Sequence, residues 1–232
     1  MSLTLGEVRA SVREHIDEPS PNYWTDAELN DYIQKAQLRL WRKVYALQKD
    51  YWLSPTGFIL TLQPGVFRYT TAVGNIPTDI FRITAIRTLT SGYQDIDWVP
   101  ADPNSEAFTE GLRTDSPVQY PYRVLYALRN MGELWVSPSP QINVQAQVDY
   151  IQLPTEVELD TDTFLIPDAW LYYVEHQASY MALLKGPLGD PGSQLGQANA
   201  AWEEIMTGLD SLRSDQGPDL VIGAFSNDDL VF

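Results

Sequence analysis

The chain has no cysteine among its 232 residues, which excludes disulfides, thiolate metal ligands and thiol nucleophiles. No apolar run approaches the length of a membrane span, and the N-terminus has no signal-peptide pattern. From these absences we expect a soluble protein that is assembled in a reducing cytoplasm. Its hydrophobic content of 44% is enough for one large or two small folded cores.

Basic residues are scarce as well, because 15 Lys and Arg stand against 31 Asp and Glu, for a net charge of −16. The imbalance is strongest after residue 155, where fourteen acidic residues face only Lys185 and Arg213. Affinity for duplex DNA depends on basic groups that neutralise phosphates, so the composition argues against a general nucleic-acid binder. An acidic surface suits a protein that DNA passes without binding, and it equally serves solubility.

Motifs for catalysis and metal binding are also missing. The chain has no nucleophile elbow, Walker loop, dinucleotide-binding glycine motif or zinc-protease motif, and His15 and His176 stand alone. Glu158, Asp160 and Asp162 alternate as metal ligands do, but the glycine of a calcium loop does not follow them. We expect these three carboxylates to place negative charge before the next helix. The sequence therefore predicts no catalytic residue, no cofactor and no metal site.

Four helices are predicted from capping patterns and apolar spacing. Thr4-x-x-Glu7 and Thr25-x-x-Glu28 are capping boxes, and they open helices over about 4–17 and from residue 25 onward. Pro167 and the Asp190-Pro191 pair open two more, the last of which extends to about residue 213. The apolar stripes are Leu5, Val8, Val12 and Ile16, then Leu29, Ile33, Ala36, Leu40, Val44 and Leu47, then Leu171, Val174, Ala178 and Met181, and finally Leu195, Ala198, Trp202, Ile205, Leu209 and Leu212.

Between the two helical pairs the apolar period changes to two, which predicts antiparallel strands in a β-sandwich or small barrel. The candidate strands are 57–62, 66–71, 79–88, 95–99, 122–128, 133–137 and 142–151. We therefore predict an α+β fold, in which a discontinuous bundle of about four helices carries an inserted antiparallel β domain and an extended C-terminal tail. The predicted parts are 1–50 and 155–217 for the helical domain, 51–154 for the β domain and 218–232 for the tail.

The tail is too apolar to favour exposure to water, and it follows a Gly217-Pro218 break. Each of its large apolar side chains gains roughly 1.5–3 kcal/mol on full burial, while ordering the segment costs about 1–2 kcal/mol per residue. These terms nearly cancel, so one tail binds weakly and many tails bind tightly, as in a ring. Folding back onto its own domain is the alternative. The apolar residues are Leu220, Val221, Ile222, Phe225, Leu230, Val231 and Phe232.

The second predicted helix also has a basic face opposite its apolar stripe. We interpret it as a docking face for an acidic partner or for phosphates in a channel. The alternative is pairing with acidic C-terminal helices of the same chain or a neighbouring copy. The residues of this basic face are Lys35, Arg39, Arg42, Lys43 and Lys49.

Seven Trp and 13 Tyr allow another class of function, because aromatic platforms on β-sandwiches stack on sugar rings. Trp98, Tyr120, Tyr122 and Trp135 are the candidates for an aromatic-rich glycan-binding virion or surface module. The same residues also serve as core or subunit contacts.

Five stretches in succession resemble the head-to-tail adaptor, or connector, proteins of tailed bacteriophages. The resemblance covers roughly residues 3–185, and residues 218–232 match only in character. The stretches are LTLGEVRASVREHIDE, WTDAELNDYIQKAQLRLWRK, NIPTDIFRITAIRTL, the hairpin at Tyr126–Pro140 and LIPDAWLYYVEHQASYMALL.

The resemblance implies a non-enzymatic virion protein that forms a homo-oligomeric ring, twelve-fold in this family, beneath the portal protein. It implies that the C-terminal segment enters the portal and that the ring contacts a tail or nozzle protein below. It also implies a neck position in which double-stranded DNA passes through the ring during ejection without specific binding. No membrane is involved.

Overall fold

The structure is a computed structural model that describes residues 2–18, 23–92, 96–113, 123–129, 132–139, 142–186 and 189–214. These residues form a mixed α+β fold with five α-helices and seven strands, which confirms the predicted fold class. The helices are α1 (Leu5–His15), α2 (Asp26–Leu47), α3 (Glu106–Arg113), α4 (Asp168–Lys185) and α5 (Pro191–Ser214). The strands are β1 (Phe58–Leu62), β2 (Arg68–Thr70), β3 (Ile80–Thr88), β4 (Asp97–Pro100), β5 (Arg123–Leu128), β6 (Glu133–Ser137) and β7 (Val144–Gln152).

The chain divides into two compact units, and the first is discontinuous in sequence. The first unit comprises Met1–Leu40 and Glu156–Phe232, and the second comprises Trp41–Thr155. One boundary falls inside α2, whose residues up to Leu40 belong to the first unit. The predicted tail, 218–232, lies outside the described residues.

Both predicted capping boxes are present in the first unit. The backbone N–H of Thr4 donates to Glu7 Oε2 at 2.8 Å, and that of Glu7 donates to Thr4 Oγ1 at 3.4 Å. Thr25 and Glu28 exchange the equivalent bonds at 3.2 and 3.3 Å. Each box satisfies two N–H groups that a helix start leaves without a partner, so α1 and α2 begin where the sequence predicts.

Helix α4 is the central element of the first unit. It packs against both α1 and α5, and buried residues occur on several of its sides rather than along one stripe. Full burial of an aliphatic side chain stabilises the fold by roughly 1.5–3 kcal/mol, so this helix contributes heavily to the core. Its buried residues are Leu171, Tyr173, Val174, His176, Gln177, Ala178, Ser179, Ala182 and Leu183.

The second unit contains two separate sheets rather than a closed barrel. One sheet has the strand order β1-β7-β3 and the other has the order β2-β6-β5-β4. The strands pair antiparallel except for β4 and β5, which run parallel with Trp98 opposite Val124. All seven predicted strands are present, but the parallel pair departs from the predicted all-antiparallel arrangement. The buried core of this unit comprises Leu60, Leu62, Tyr69, Ile76, Ile80, Ile83, Val124, Leu134, Val136, Val144, Val148 and Tyr150.

Two short helical elements of the second unit were not predicted. Helix α3 buries Phe108, whose carbonyl oxygen accepts a hydrogen bond from Ser137 Oγ at 3.0 Å. A 3-10 helix spans Lys49–Trp52 and buries Trp52. These elements are eight and four residues long, which is too short to produce a clear periodic stripe in the sequence.

Candidate interaction surfaces

The basic face contains three exposed cations and two that are half-buried. Lys35, Arg39 and Arg42 are exposed, whereas Lys43 and Lys49 are half-buried. The Nζ of Lys35 lies 2.6 Å from Asp31 Oδ2 one turn earlier, and this hydrogen bond raises the pKa of Lys35. The charge of Lys35 is therefore shared with its own helix, and an exposed pair of this kind adds little stability.

The five basic residues do not all lie on one helix. Lys35 and Arg39 belong to the first unit, and the other three belong to the second. Helix α2 ends at Leu47, and Lys49 begins the 3-10 helix instead. The extended backbone of Gln48, with φ −140° and ψ 91°, separates the two elements. The prediction that Lys49 continues the face of α2 is therefore corrected.

The acidic segment before α4 serves α1 rather than α4. The N–H groups of Leu5 and Gly6 donate to the backbone carbonyls of Asp162 and Asp160 at 2.9 and 3.1 Å. The Arg9 guanidinium binds both carboxylate oxygens of Asp160, at 2.8 and 2.9 Å. These bonds lower the pKa of Asp160 and raise that of Arg9. The expected role of this charge at the start of α4 is therefore corrected, since its partner is on α1.

The carboxylate of Asp162, one of the three with metal-ligand spacing, stabilises a turn of its own loop. Asp162 Oδ2 accepts hydrogen bonds from the backbone N–H groups of Glu158 and Leu159, both at 2.9 Å, and these bonds lower the pKa of Asp162. Among the residues that the structure describes, no group of three His, Asp or Glu side chains could hold a metal ion. The polar contacts of this segment are those of a loop that binds α1.

The aromatic candidates do not form an open platform. The indole N–H of Trp98 donates to Thr88 Oγ1 at 3.0 Å, and the ring packs against the core of the second unit. The Arg129 guanidinium lies 4.6 Å from the centre of the Trp135 ring, and Phe67 meets that ring edge-on. Both tryptophans are half-buried, and these contacts take up part of each ring. Tyr120 and Tyr122 lie outside the described residues.

The two histidines, which stand alone in the sequence, meet in the structure. The structure stacks the ring of His15 on α1 against the ring of His176 on α4, with 4.3 Å between the ring centres. A second polar contact joins the same helices, because Ser11 Oγ donates to Glu175 Oε2 at 2.8 Å. Burial raises the pKa of this carboxyl group. These residues are about 160 positions apart, so only the fold brings them together.

Comparison with known proteins bears on the whole chain. No helix in the described ranges is long and apolar enough to cross a membrane. No curated protein matches the chain at a significant level. A family model described as the SU10 adaptor protein matches residues 3–222, which is nearly the full length. The match includes the capping boxes, the β segment, the central helix α4 and the first residues of the tail. The chain therefore belongs to the SU10 adaptor protein family, a family of phage head-to-tail adaptors.

Proposed function

We propose that this chain forms a twelve-fold ring beneath the portal protein and joins the capsid of a tailed phage to its tail. The family match over residues 3–222 is the observation that carries the proposal. The family is a class of structural phage adaptors and not of enzymes, and its members belong to the virion neck. The ring assembles in the host cytoplasm and contacts the portal above and a tail or nozzle protein below.

Each of the four predicted segments has its own part in the ring subunit. The segments 1–50 and 155–217 form the helical part of the ring subunit, and 51–154 forms the β part. The segment 218–232 hooks the portal through its seven apolar residues. One hook binds weakly because burial and ordering nearly cancel, but a ring of copies multiplies the effect. The sequence of this segment supports the proposal, since Asp219, Asp228 and Asp229 are the only charged residues beside its seven apolar ones.

The ring lines the channel through which DNA leaves the capsid. The net charge of −16 supports this role, because an acidic lining repels the phosphate backbone and prevents the genome from adhering. Exposed carboxylates of α5, such as Glu203, Glu204 and Asp210, are suitable lining groups. The basic face then docks against an acidic surface of a neighbouring copy or of another neck protein.

Co-sedimentation with portal rings from the same phage tests the hook. We expect the full chain to travel with the rings and a chain that ends at Gly217 to remain in the supernatant. Circular dichroism and the melting temperature should be the same for both chains, because the tail contributes to a partner's surface and not to its own core. A large loss of stability in the shortened chain would instead support a tail that folds back.

A full-length variant separates apolar contact from length. Leu220→Ser, Ile222→Ser and Phe225→Ser together should abolish co-sedimentation, whereas Ser226→Ala and Asn227→Ala together should preserve it. Binding of the shortened chain as tight as that of the full chain would overturn the hook while leaving the adaptor role intact. If neither chain binds the portal, the assignment beneath the portal is wrong.

A further inference from the structure

The stacked histidines join three helices of the first unit. His15 and His176 are the only histidines in the chain, and their rings lie 4.3 Å apart with 20° between their planes. His176 is only 4% exposed, while His15 is half-buried. The ring of Tyr172 meets the His176 ring edge-on at 4.2 Å. The pair therefore lies at the contact between α1 and α4, with aromatic rings on two sides of His176.

Gln194 of α5 contacts both histidines, and its amide group selects the tautomer of neutral His176. Its Nε2 donates to the backbone carbonyl of His15 at 3.3 Å, and its Oε1 lies 2.6 Å from His176 Nδ1. A carbonyl only accepts, so the amide oxygen of Gln194 faces His176 and accepts from an Nδ1–H group. Neutral His176 thus carries its proton on Nδ1. The other ring nitrogen, Nε2, is buried and has no hydrogen-bond partner in the described part of the chain.

We propose that the stacked pair His15–His176 is an acid-sensitive latch, whose protonation releases α1 and α5 from the central helix α4. A proton added to Nε2 of His176 creates a buried charge and an N–H donor for which the described part of the chain offers no acceptor. A proton added to His15 places a cation directly against the neighbouring imidazole. Both changes oppose the packed arrangement.

The groups around the latch provide little compensation for such a charge. Glu14 on α1 favours a charged His15, but burial of His15 and the proximity of His176 outweigh it and lower the pKa of His15. On α4, Tyr172 meets the His176 ring edge-on, and Glu175 accepts a hydrogen bond from Ser11 of α1. Helix α5 has no charged residue over 191–202, and Asp190 is engaged by the N–H of Gly192. The N-terminal end of α5 carries a partial positive charge, which disfavours a protonated histidine beside it.

The direction of the pH dependence follows from the lowered pKa of His15. The unfolded chain binds a proton near pH 6.5, whereas the folded chain binds it only at lower pH. Stability is therefore fully present above pH 6.5 and falls as the pH is lowered through the interval between the two values. For each additional proton bound by the unfolded chain, the ratio of folded to unfolded protein falls by up to about tenfold per pH unit.

The carboxylates do not produce the same effect in this interval. Burial raises the pKa of Glu175 above its ordinary 4.5, so its protonation on acidification favours the folded state. Asp160 and Asp162 have pKa values below their ordinary 3.8, and Glu7 and Glu28 have values below 4.5. Their stabilising contributions are lost only at more acidic pH. Glu133 also has a pKa below 4.5, so a loss of stability between about pH 7 and 6, above the range of all these carboxylates, is the part that reports on His15.

Chemical denaturation of the full chain across this pH range, followed by helical circular dichroism, tests the latch. We expect the folded-to-unfolded ratio of the wild-type chain to fall as the pH is lowered from 7 to 5, by less than about tenfold for each pH unit per proton. His15→Phe keeps an aromatic ring in the stack and removes one titrating group, so its pH dependence should be weaker. Glu175→Gln, a control on the adjacent residue, should not weaken the dependence.

Proton NMR of the wild-type chain provides a measurement that needs no variant. With only two histidines, the two C2–H resonances report on the latch directly, and we expect that of His15 to titrate below pH 6.5. The proposal is overturned if the His15 resonance titrates near 6.5, if wild-type stability is flat between pH 7 and 5, or if a folded His15→Phe chain keeps the full wild-type dependence. If His15→Phe does not fold, the two resonances decide the question.

Discussion

Arg9 is the residue that ties α1 to the acidic segment before α4. Its side chain is only 13% exposed, binds Asp160 through two nitrogen atoms, lies 3.4 Å from Asp26, and donates to Asn30 Oδ1 at 3.2 Å. A planar guanidinium that serves several acceptors is held in one orientation, unlike an exposed lysine with a single partner. We therefore expect the Arg9–Asp160 pair to stabilise the folded chain more than the Lys35–Asp31 pair does.

Replacing these two cations should separate the strong pair from the weak one. Arg9→Met should lower the urea midpoint of the chain clearly, because it removes the two hydrogen bonds to Asp160 and the one to Asn30, whereas Asp26 keeps Arg13 as its partner. Lys35→Met, the matched control, should change the midpoint little, because an exposed pair one turn apart is screened by water and salt. Equal midpoints for the two variants would contradict this account. The double variant Arg9→Met with Asp160→Asn should lose less than the sum of its single changes.

Side-chain contacts between residues close in sequence are predictable, and contacts between distant residues are not. Thr4 with Glu7 and Thr25 with Glu28 follow from a spacing of three, because a helix start creates the need for both bonds. The contacts of Arg9 with Asp160 and of His15 with His176 join residues more than 150 positions apart. Nothing in a single sequence encodes such a meeting, so the acidic segment was assigned to the wrong helix.

At the scale of elements, Gly57 is the position that most constrains the start of β1. Its φ of +58° is in the left-handed region, and an added Cβ would lie within contact distance of the Val148 carbonyl oxygen and 2.7 Å from Gln147 Nε2. Both neighbours are on β7, the strand that pairs with β1. A side chain at this position would therefore separate the first residues of β1 from the middle of β7.

Gly65 offers a matched control for Gly57, since its φ is +73° and no atom would lie within 4 Å of an added Cβ. Gly65→Ala should cost only about 1–2 kcal/mol, the strain of a left-handed alanine. Gly57→Ala carries the same strain and also displaces the backbone of β7, so its urea midpoint should be distinctly lower. A midpoint for Gly57→Ala equal to that of Gly65→Ala would show that β7 adjusts without loss.

The secondary structure was largely predictable because most elements carry their own periodicity. Each of the seven strands was found within two residues, and the four long helices follow from their caps and stripes. Helix α3 was not predicted because its eight residues make only about two turns, too few for a clear apolar period. The parallel pairing of β4 with β5 was missed because alternation gives the buried face of a strand and not its direction.

At the scale of the whole molecule, the basic face should control assembly. Lys35→Glu, Arg39→Glu and Lys43→Glu together should weaken oligomers, since like charges would then meet at an acidic neighbour. Raising the salt concentration should reduce the difference from wild type, as expected for screened charges. Sedimentation velocity between about 50 and 500 mM NaCl measures both effects.

Charge reversal at Arg123, which lies on β5 and not on the basic face, provides the comparison for that experiment. Arg123 is exposed, and its nearest acidic partner is Asp97 at 3.9 Å. Arg123→Glu therefore changes the net charge and leaves the basic face as it is. Oligomers of this variant should resemble those of the wild type. Unchanged assembly of the triple variant would assign the basic face to solvent.

The discontinuity of the first unit has a consequence for synthesis on the ribosome. The second unit is continuous in sequence, so all of its strands exist once residue 155 has been made. Helix α1 and the first part of α2 are made much earlier, but α4, the helix that packs against α1, ends only at Lys185. The apolar stripe of α1 thus lacks its partner helix during translation of more than a hundred residues. The nascent chain completes the N-terminal part of its fold last.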